Sequence, residues 1–219
     1  MKLINTLITI LFISLLSSPS WSVTIGDLVK RDDLYYEKFT DVPYTGKVTG
    51  SEQGAFKGGK KEGAWIEYYE NGQLKGRGDF KNGKPEGAIV AYYKNGQLRE
   101  KINVKNGKPE GAFVGYHKNG QLRLKGNAKN GEQNGASIRY YENGQLKEKR
   151  NYKSGKRDGV WVFYSENGQL REKGNYKNGK KEGAWYTYNI DGTVRQHATG
   201  TYKNGVKISD WVLSKLIKG

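Results

Sequence analysis

An Asn-Gly pair returns every 24 residues along this chain, at Asn71-Gly72, Asn95-Gly96, Asn119-Gly120, Asn143-Gly144 and Asn167-Gly168, and Asp191-Gly192 keeps the step. A second glycine motif runs in phase with it: GGKKEG ending at Gly63, NGKPEG at Gly87 and Gly111, NGEQNG at Gly135, SGKRDG at Gly159 and NGKKEG at Gly183. Only Asn204-Gly205 arrives two residues late, which places a small insertion or bulge at His197-Ala198-Thr199. A fixed period of this length is the signature of a stacked repeat. Each copy holds two extended segments and two glycine turns, as in AWIEYY, ENGQ, LKGRGDF and KNGKPEG. No copy carries a long apolar pattern at helical spacing, and Tyr, Val, Ile, Trp and Phe dominate the segments, which suits strands. The expectation is an all-β fold: an elongated antiparallel β-meander of tandem 24-residue hairpin repeats, two strands to each.

Turn register decides which side chains share a face. A two-residue turn at Asn71-Gly72 pairs Tyr69 with Leu74 and puts Tyr68 and Leu74 on opposite faces. A three-residue loop with Gly72 in the left-handed region pairs Tyr68 with Leu74 instead. This bulged loop gathers Ile66, Tyr68, Leu74 and Phe80 on one face. It does the same for Val90, Tyr92, Leu98 and Val104, and for Val162, Tyr164, Leu170 and Tyr176, so it is the register expected for a buried face.

By alternation the other face carries Trp65, Glu67, Tyr69, Lys75 and Arg77. Along the array Lys75, Arg99, Arg123, Lys147, Arg171 and Arg195 form one column, and Arg77, Lys101, Lys125, Lys149 and Lys173 the next. At about 4.8 Å per strand, like charges recur every ~9.6 Å. With Tyr69, Trp65, Trp161 and Trp185 beside it, this two-lane basic stripe is the candidate binding face. The same cations also keep a long sheet soluble without any ligand.

The net charge of +16, from 38 Lys and Arg against 22 Asp and Glu, favours acidic partners: a protein surface, anionic lipid or a polyanionic glycan. Residues 1–22 have the order of a secretory signal peptide: Lys2, the apolar run Leu3 to Leu16, then Ser20 and Ser22 at the positions before cleavage. A short signal helix and a periplasmic or secreted location follow as expectations, and export argues against nucleic acid as a partner. Residues 23–45 then form an N-terminal cap or lead-in, 46–208 the repeat array, and 209–219 a C-terminal cap with Trp211 as its Trp-type residue. Ile25 to Tyr36 are expected to cover the first sheet edge.

The chain has no cysteine, so it has neither a disulfide framework nor a thiolate metal site. Its two histidines, His117 and His197, have no partner at ligand spacing. No cofactor and no enzymatic activity are expected. Glu62, Glu86, Glu110, Asp158 and Glu182 recur in the Gly-Lys-x-Glu-Gly loops, where a turn or lysine neutralisation accounts for them.

The unit G-x-W-x-x-Y-Y-x-N-G-Q-L followed by Y-K-N-G-K-x-E-G resembles the variant MORN repeat of bacterial proteins, over roughly residues 44–208. Arrays of this kind are often labelled YwqK-family antitoxin components. The resemblance implies an elongated β-meander used for binding rather than catalysis, and an antitoxin or immunity-type role toward an acidic partner such as a toxin. This chain departs from the pattern at Ser137, which replaces the Trp-type residue, and at Glu132-Gln133-Asn134. Its leader departs too: it points to a partner met in the cell envelope.

Overall fold

The computed structural model describes residues 22–210, so the expected signal helix and the tail from Trp211 lie outside the described residues. A lead-in hairpin comes first, β1 (Leu28–Arg31) and β2 (Leu34–Glu37). Then follow β3 (Gly46–Val48), β4 (Glu52–Lys57), β5 (Lys60–Tyr68), β6 (Leu74–Lys81), β7 (Lys84–Tyr92), β8 (Leu98–Lys105), β9 (Lys108–Tyr116) and β10 (Leu122–Lys129). The remainder are β11 (Glu132–Gln133), β12 (Gly135–Tyr140), β13 (Leu146–Lys153), β14 (Lys156–Tyr164), β15 (Leu170–Lys177), β16 (Lys180–Thr187), β17 (Gly200–Lys203) and β18 (Val206–Asp210). From β3 onward they form one 16-stranded antiparallel sheet in which chain order is sheet order, except that β11 and β12 both pair with β10; this is the expected meander.

The same Asn-Gly dipeptide makes two different turns. In ENGQ the Gly72 N–H donates to Tyr69 O (2.9 Å), Tyr69 N–H donates to Gln73 O (2.8 Å), and Gly72 sits at φ +79°. That is the expected three-residue loop, and Tyr68 pairs with Leu74. In KNGK both Asn82 (φ +51°) and Gly83 (φ +78°) are left-handed, which makes a two-residue turn with Lys81 opposite Lys84. Each recurring carboxylate of the G-K-x-E-G loops caps the next such turn: Glu62 accepts Asn82 N–H at 2.8 Å, Glu86 accepts Asn106 N–H at 2.7 Å, and Glu110 accepts Asn130 N–H at 2.7 Å.

A second irregularity overturns the expected faces. Glu67 pairs with Gly76 while Tyr68 pairs with Leu74, so Lys75 is an extra residue in β6, and the same shift recurs in later hairpins. One inserted residue reverses the side to which everything beyond it points. Phe80, Val104 and Tyr176 therefore leave the face of Tyr68 and Leu74 and join the face of Trp65, Ile89 and Trp161. That face is deeply buried at its tryptophans, Trp65 being 5% exposed, Trp161 7% and Trp185 0%, while the other face buries Val90 (9%) and Val162 (8%).

Packing on the Trp face follows a large-against-small rule across strands. Trp185 lies over Gly174 and Trp65 over Gly54, so close that an added Cβ would enter the indole ring; Phe113 covers Gly126 in the same way. Edge-to-face contacts run Trp161–Tyr176 (5.1 Å), Tyr176–Trp185 (5.0 Å) and Trp185–Tyr202 (6.3 Å). Such pairs add about 0.5–1.5 kcal/mol to area burial, which helps a sheet with no second layer along most of its length.

At the first end the lead-in hairpin covers the sheet. Leu28, Val48, Phe56 and Trp65 form a core joined by Val23, Ile25, Tyr35 and Tyr44. Tyr35 N–H donates to Gly59 O (2.8 Å), and Thr49 N–H to Val23 O (2.9 Å). At the other end the two late residues form a turn through Gln196-His197-Ala198. The buried Thr199 hydroxyl repairs the ladder there, accepting Thr187 N–H (3.0 Å) and donating to Thr187 O (3.2 Å).

Candidate functional site

The predicted binding face does not exist as one surface. Trp65, Trp161 and Trp185 are core, not platforms for a ligand, because the extra residue at Lys75 and its equivalents places them on the packed side. Each indole also carries a cation: Lys61 Nζ is 3.9 Å from the Trp65 ring, Arg157 4.5 Å from Trp161 and Lys181 4.0 Å from Trp185. These cations occupy the x of G-K-x-E-G. Where the following Trp-type residue is Ile89 or Phe113, x is Pro85 or Pro109; where it is Ser137, x is Gln133.

Tyr69 is half-buried and joins two repeats, its hydroxyl donating to Tyr92 O at 2.7 Å. Tyr93 and Tyr141 repeat the bond to Tyr116 O and Tyr164 O, each at 2.8 Å. His117 takes the same post, with Nε2 3.0 Å from Tyr140 O; because that oxygen only accepts, Nε2 carries the proton.

The two basic lanes part company. Lys75, Arg99, Arg123, Lys147, Arg171 and Arg195 are all half-buried. At the first of them, Lys75 Nζ lies 2.5 Å from Glu67 Oε1 on the Trp side, and this hydrogen bond and charge raise the Lys75 pKa above its ordinary value. Arg99 is likewise paired, 2.9 Å from Glu100. These two cations of the lane are therefore neutralised locally.

Arg77, Lys101, Lys125, Lys149 and Lys173 instead stand on the opposite face, all exposed, and no ion pair among the described residues includes them. Pairing interleaves them with aliphatic residues into one cross-strand ladder: Ile66, Arg77, Val90, Lys101, Val114, Lys125, Ile138, Lys149, Val162, Lys173, Tyr186. Small residues flank it, since Ala64, Ala88, Ala112 and Ala136 lie two positions along the same strands. The result is a series of shallow hollows. One of 570 Å³ is lined by Lys101, Asn103, Ala112, Val114, Lys125 and Asn127 among others, and its neighbour of 390 Å³ by Ala64, Ile66, Arg77, Asp79, Val90 and Lys101 among others.

Two features escaped the sequence reading. Mid-array, Ser137 leaves room on the Trp face that Arg150 fills, its guanidinium 4.3 Å from the Trp161 ring. Glu148, 2% exposed, is held between Arg150 and Arg139, the latter at 3.3 Å. The second feature is a concentration of lysine at the KNGK edge of the sheet. Lys57 faces Lys60 there, Lys81 faces Lys84, Lys105 faces Lys108, Lys153 faces Lys156 and Lys177 faces Lys180, every one exposed. The signal for it was the Lys at both ends of K-N-G-K. Among the described residues, no three His, Asp or Glu side chains converge as metal ligands would.

Among curated proteins, no sequence matches this chain. Among solved structures it is similar to a chain in the crystal structure of the GtfA/B complex bound to UDP and GlcNAc, at 17% identity and a TM-score of 0.22. That match covers 50% of this chain and 22% of that one, and a likeness so slight carries no argument about function. The MORN repeat variant profile matches residues 61–82, 85–106, 109–130, 133–154 and 157–178, which together make half of the chain. Each match runs from a cation, Pro or Gln before the capping Glu, Asp or Asn to the KNGK-type turn of the next hairpin, the unit whose geometry is described above; the chain belongs to the MORN repeat variant family.

Proposed function

We propose that this chain is a non-enzymatic binding scaffold whose exposed ladder docks an acidic partner protein, in the manner of an antitoxin or immunity protein, outside the cytoplasm. The observation that carries the reading is the alternation of the exposed Arg77, Lys101 and Lys125 with Ile66, Val90, Val114 and Ile138 on a face that no other element among the described residues covers. Protein interfaces combine an apolar centre with charge that sets orientation and partner choice. Here the half-buried Ile66, Val114 and Ile138 supply the first and the unpaired cations the second. The leader-like residues 1–22 support export, and an exported scaffold meets a toxin in the envelope. The antitoxin label that arrays resembling this one often carry supports the class of role.

The test is capture from envelope extracts with the tagged chain, then reconstitution with the purified captured protein. The expected result is one stoichiometric acidic protein. Its binding is lost in the triple substitution Arg77→Glu, Lys101→Glu, Lys125→Glu, which leaves the Trp face untouched. Retention of anionic lipid or glycan with no protein partner, or a partner indifferent to the triple substitution, sinks the proposal.

A further inference from the structure

The KNGK edge calls for an explanation of its own. Like charges directly opposite one another on paired strands destabilise a sheet, yet Lys81 faces Lys84 and Lys105 faces Lys108, and the arrangement recurs at other turns. Solubility does not require it. Lys129 faces Glu132 at the equivalent place in one repeat, so the neutral alternative fits the same turn. Nor is the charge spread evenly over the molecule. The ENGQ edge mixes signs, with Glu70, Lys94, Lys118, Glu142 and Glu166.

The edge lysines are exposed, and none of them enters an ion pair among the described residues. The nearest recurring carboxylates are engaged elsewhere, since Glu62, Glu86 and Glu110 each accept a backbone N–H of the neighbouring turn.

We propose that this edge is a binding ridge for a flexible acidic polysaccharide, a chain bearing carboxylate or sulfate groups along its length, and that it acts separately from the ladder face. Strands stack at about 4.8 Å, so long flexible ammonium arms follow one another along a line at a spacing that suits a polymer charged at each sugar or every second one. The turn residues are Lys, Asn and Gly, with no apolar centre of the kind a folded protein partner needs. Single-stranded nucleic acid is the poorer fit. Its binders add exposed aromatic rings on which bases stack, and here Trp65, Trp161 and Trp185 are buried beneath Lys61, Arg157 and Lys181. A bilayer is the poorer fit for a geometric reason. Adjacent strands rotate by about 20°, so the edge of a long sheet winds; a flexible chain follows it where a flat surface meets only part.

The experiment measures binding of the full chain to heparin, as sulfated probe, and to polygalacturonate, as carboxylated probe. Phosphatidylglycerol vesicles and a single-stranded oligonucleotide are run alongside. The ridge variant replaces Lys81, Lys84, Lys105 and Lys108 by Gln, and the ladder variant replaces Arg77, Lys101 and Lys125 by Gln. The expected result is polysaccharide binding weakened about tenfold or more at ~0.15 M salt in the ridge variant, with a shallower salt dependence. The ladder variant binds as the parent does. The ridge variant also unfolds at the same or a higher denaturant concentration, because repulsion has been relieved, which separates lost binding from lost fold. Whichever of the two polysaccharides binds more tightly names the acid group. Unchanged binding in the ridge variant overturns the proposal. So does an equal loss in the ladder variant, or tighter binding to vesicles or oligonucleotide than to both polysaccharides.

Discussion

Arg150→Ala should open the array in its middle. Arg150 lies across from Ser137, the one small residue in the Trp-type column, and fills that space with its guanidinium over Trp161. Its other contact is Glu148, only 2% exposed. Once Arg150 is removed, the carboxylate keeps only Arg139 at 3.3 Å, a side chain 46% exposed and thus partly screened by water. Breaking a buried ion pair by removing one partner costs about 3–5 kcal/mol. The lost cation–π contact accounts for roughly 0.5–2 kcal/mol, and because the same side chain makes both contacts the two do not simply add. With Arg139 still in place, the low end of the first range, about 3 kcal/mol, is the expected total. Urea unfolding followed by the tryptophan fluorescence of the intact chain measures it, with hydrogen exchange of β5 and β16 amides as separate reporters of the two ends. Repeat arrays are stabilised by their units and the interfaces between neighbours, so a weak centre should split the transition, the two reporters no longer melting together. The compensating change is Glu148→Leu, the residue that Leu124 supplies one repeat earlier. Adding it to Arg150→Ala should recover most of the loss, a coupling of about 2 kcal/mol or more. A cost below about 1 kcal/mol for Arg150→Ala, or no recovery in the double variant, refutes the account of a buried charge held by Arg150.

Two further outcomes follow from the same geometry. Gly174→Ala places a methyl group inside the indole of the fully buried Trp185; overpacking costs about 1–3 kcal/mol against an intrinsic gain of about 0.5–1 kcal/mol for Ala in a strand. The denaturation midpoint should therefore fall, and an unchanged or higher midpoint argues against the close approach. In the lead-in, the Thr24 hydroxyl (2.6 Å) and backbone N–H (2.9 Å) both donate to Asp27 and hold its carboxyl below the ordinary range. A depressed folded-state pKa means that its contribution is present at neutral pH and lost as pH falls below about 4. Protection of the Thr24 amide from exchange should drop over that window in the parent and be low at every pH in Asp27→Asn; a flat profile in the parent counts against it.

Period, strand content and the ENGQ register were all legible in the residues. In-phase glycines demanded turns, and the need to bring Tyr68 and Leu74 together selected the bulged loop that Gly72 makes at φ +79°. The late Asn204-Gly205 correctly marked the extra turn before Thr199. The parity beyond that loop was not legible, because both sides of each hairpin carry apolar residues. Val90 and Val162 on one side are buried much as Trp65 and Trp161 are on the other. Clues to the right answer were present as internal covariation: a Lys or Arg before Glu62, Asp158 and Glu182 wherever a Trp follows, and Gly54, Gly126 and Gly174 across from Trp65, Phe113 and Trp185. Reading them requires the cross-strand partner to be known already.

By itself, then, the sequence determined a meander of β-hairpins and a strong positive charge, because glycine spacing and strand-forming residues act locally and repeat. Tertiary structure decided which cations are free. One extra residue at Lys75 and at each of its counterparts reverses the direction of the side chains beyond it. That reversal buries the tryptophans, ties Lys75 to Glu67, and leaves Arg77, Lys101, Lys125, Lys149 and Lys173 in open water on the other face. Facing of side chains is a property of paired strands rather than of one strand, so only the assembled sheet separates the side on which the tryptophans pack from the side of the free cations.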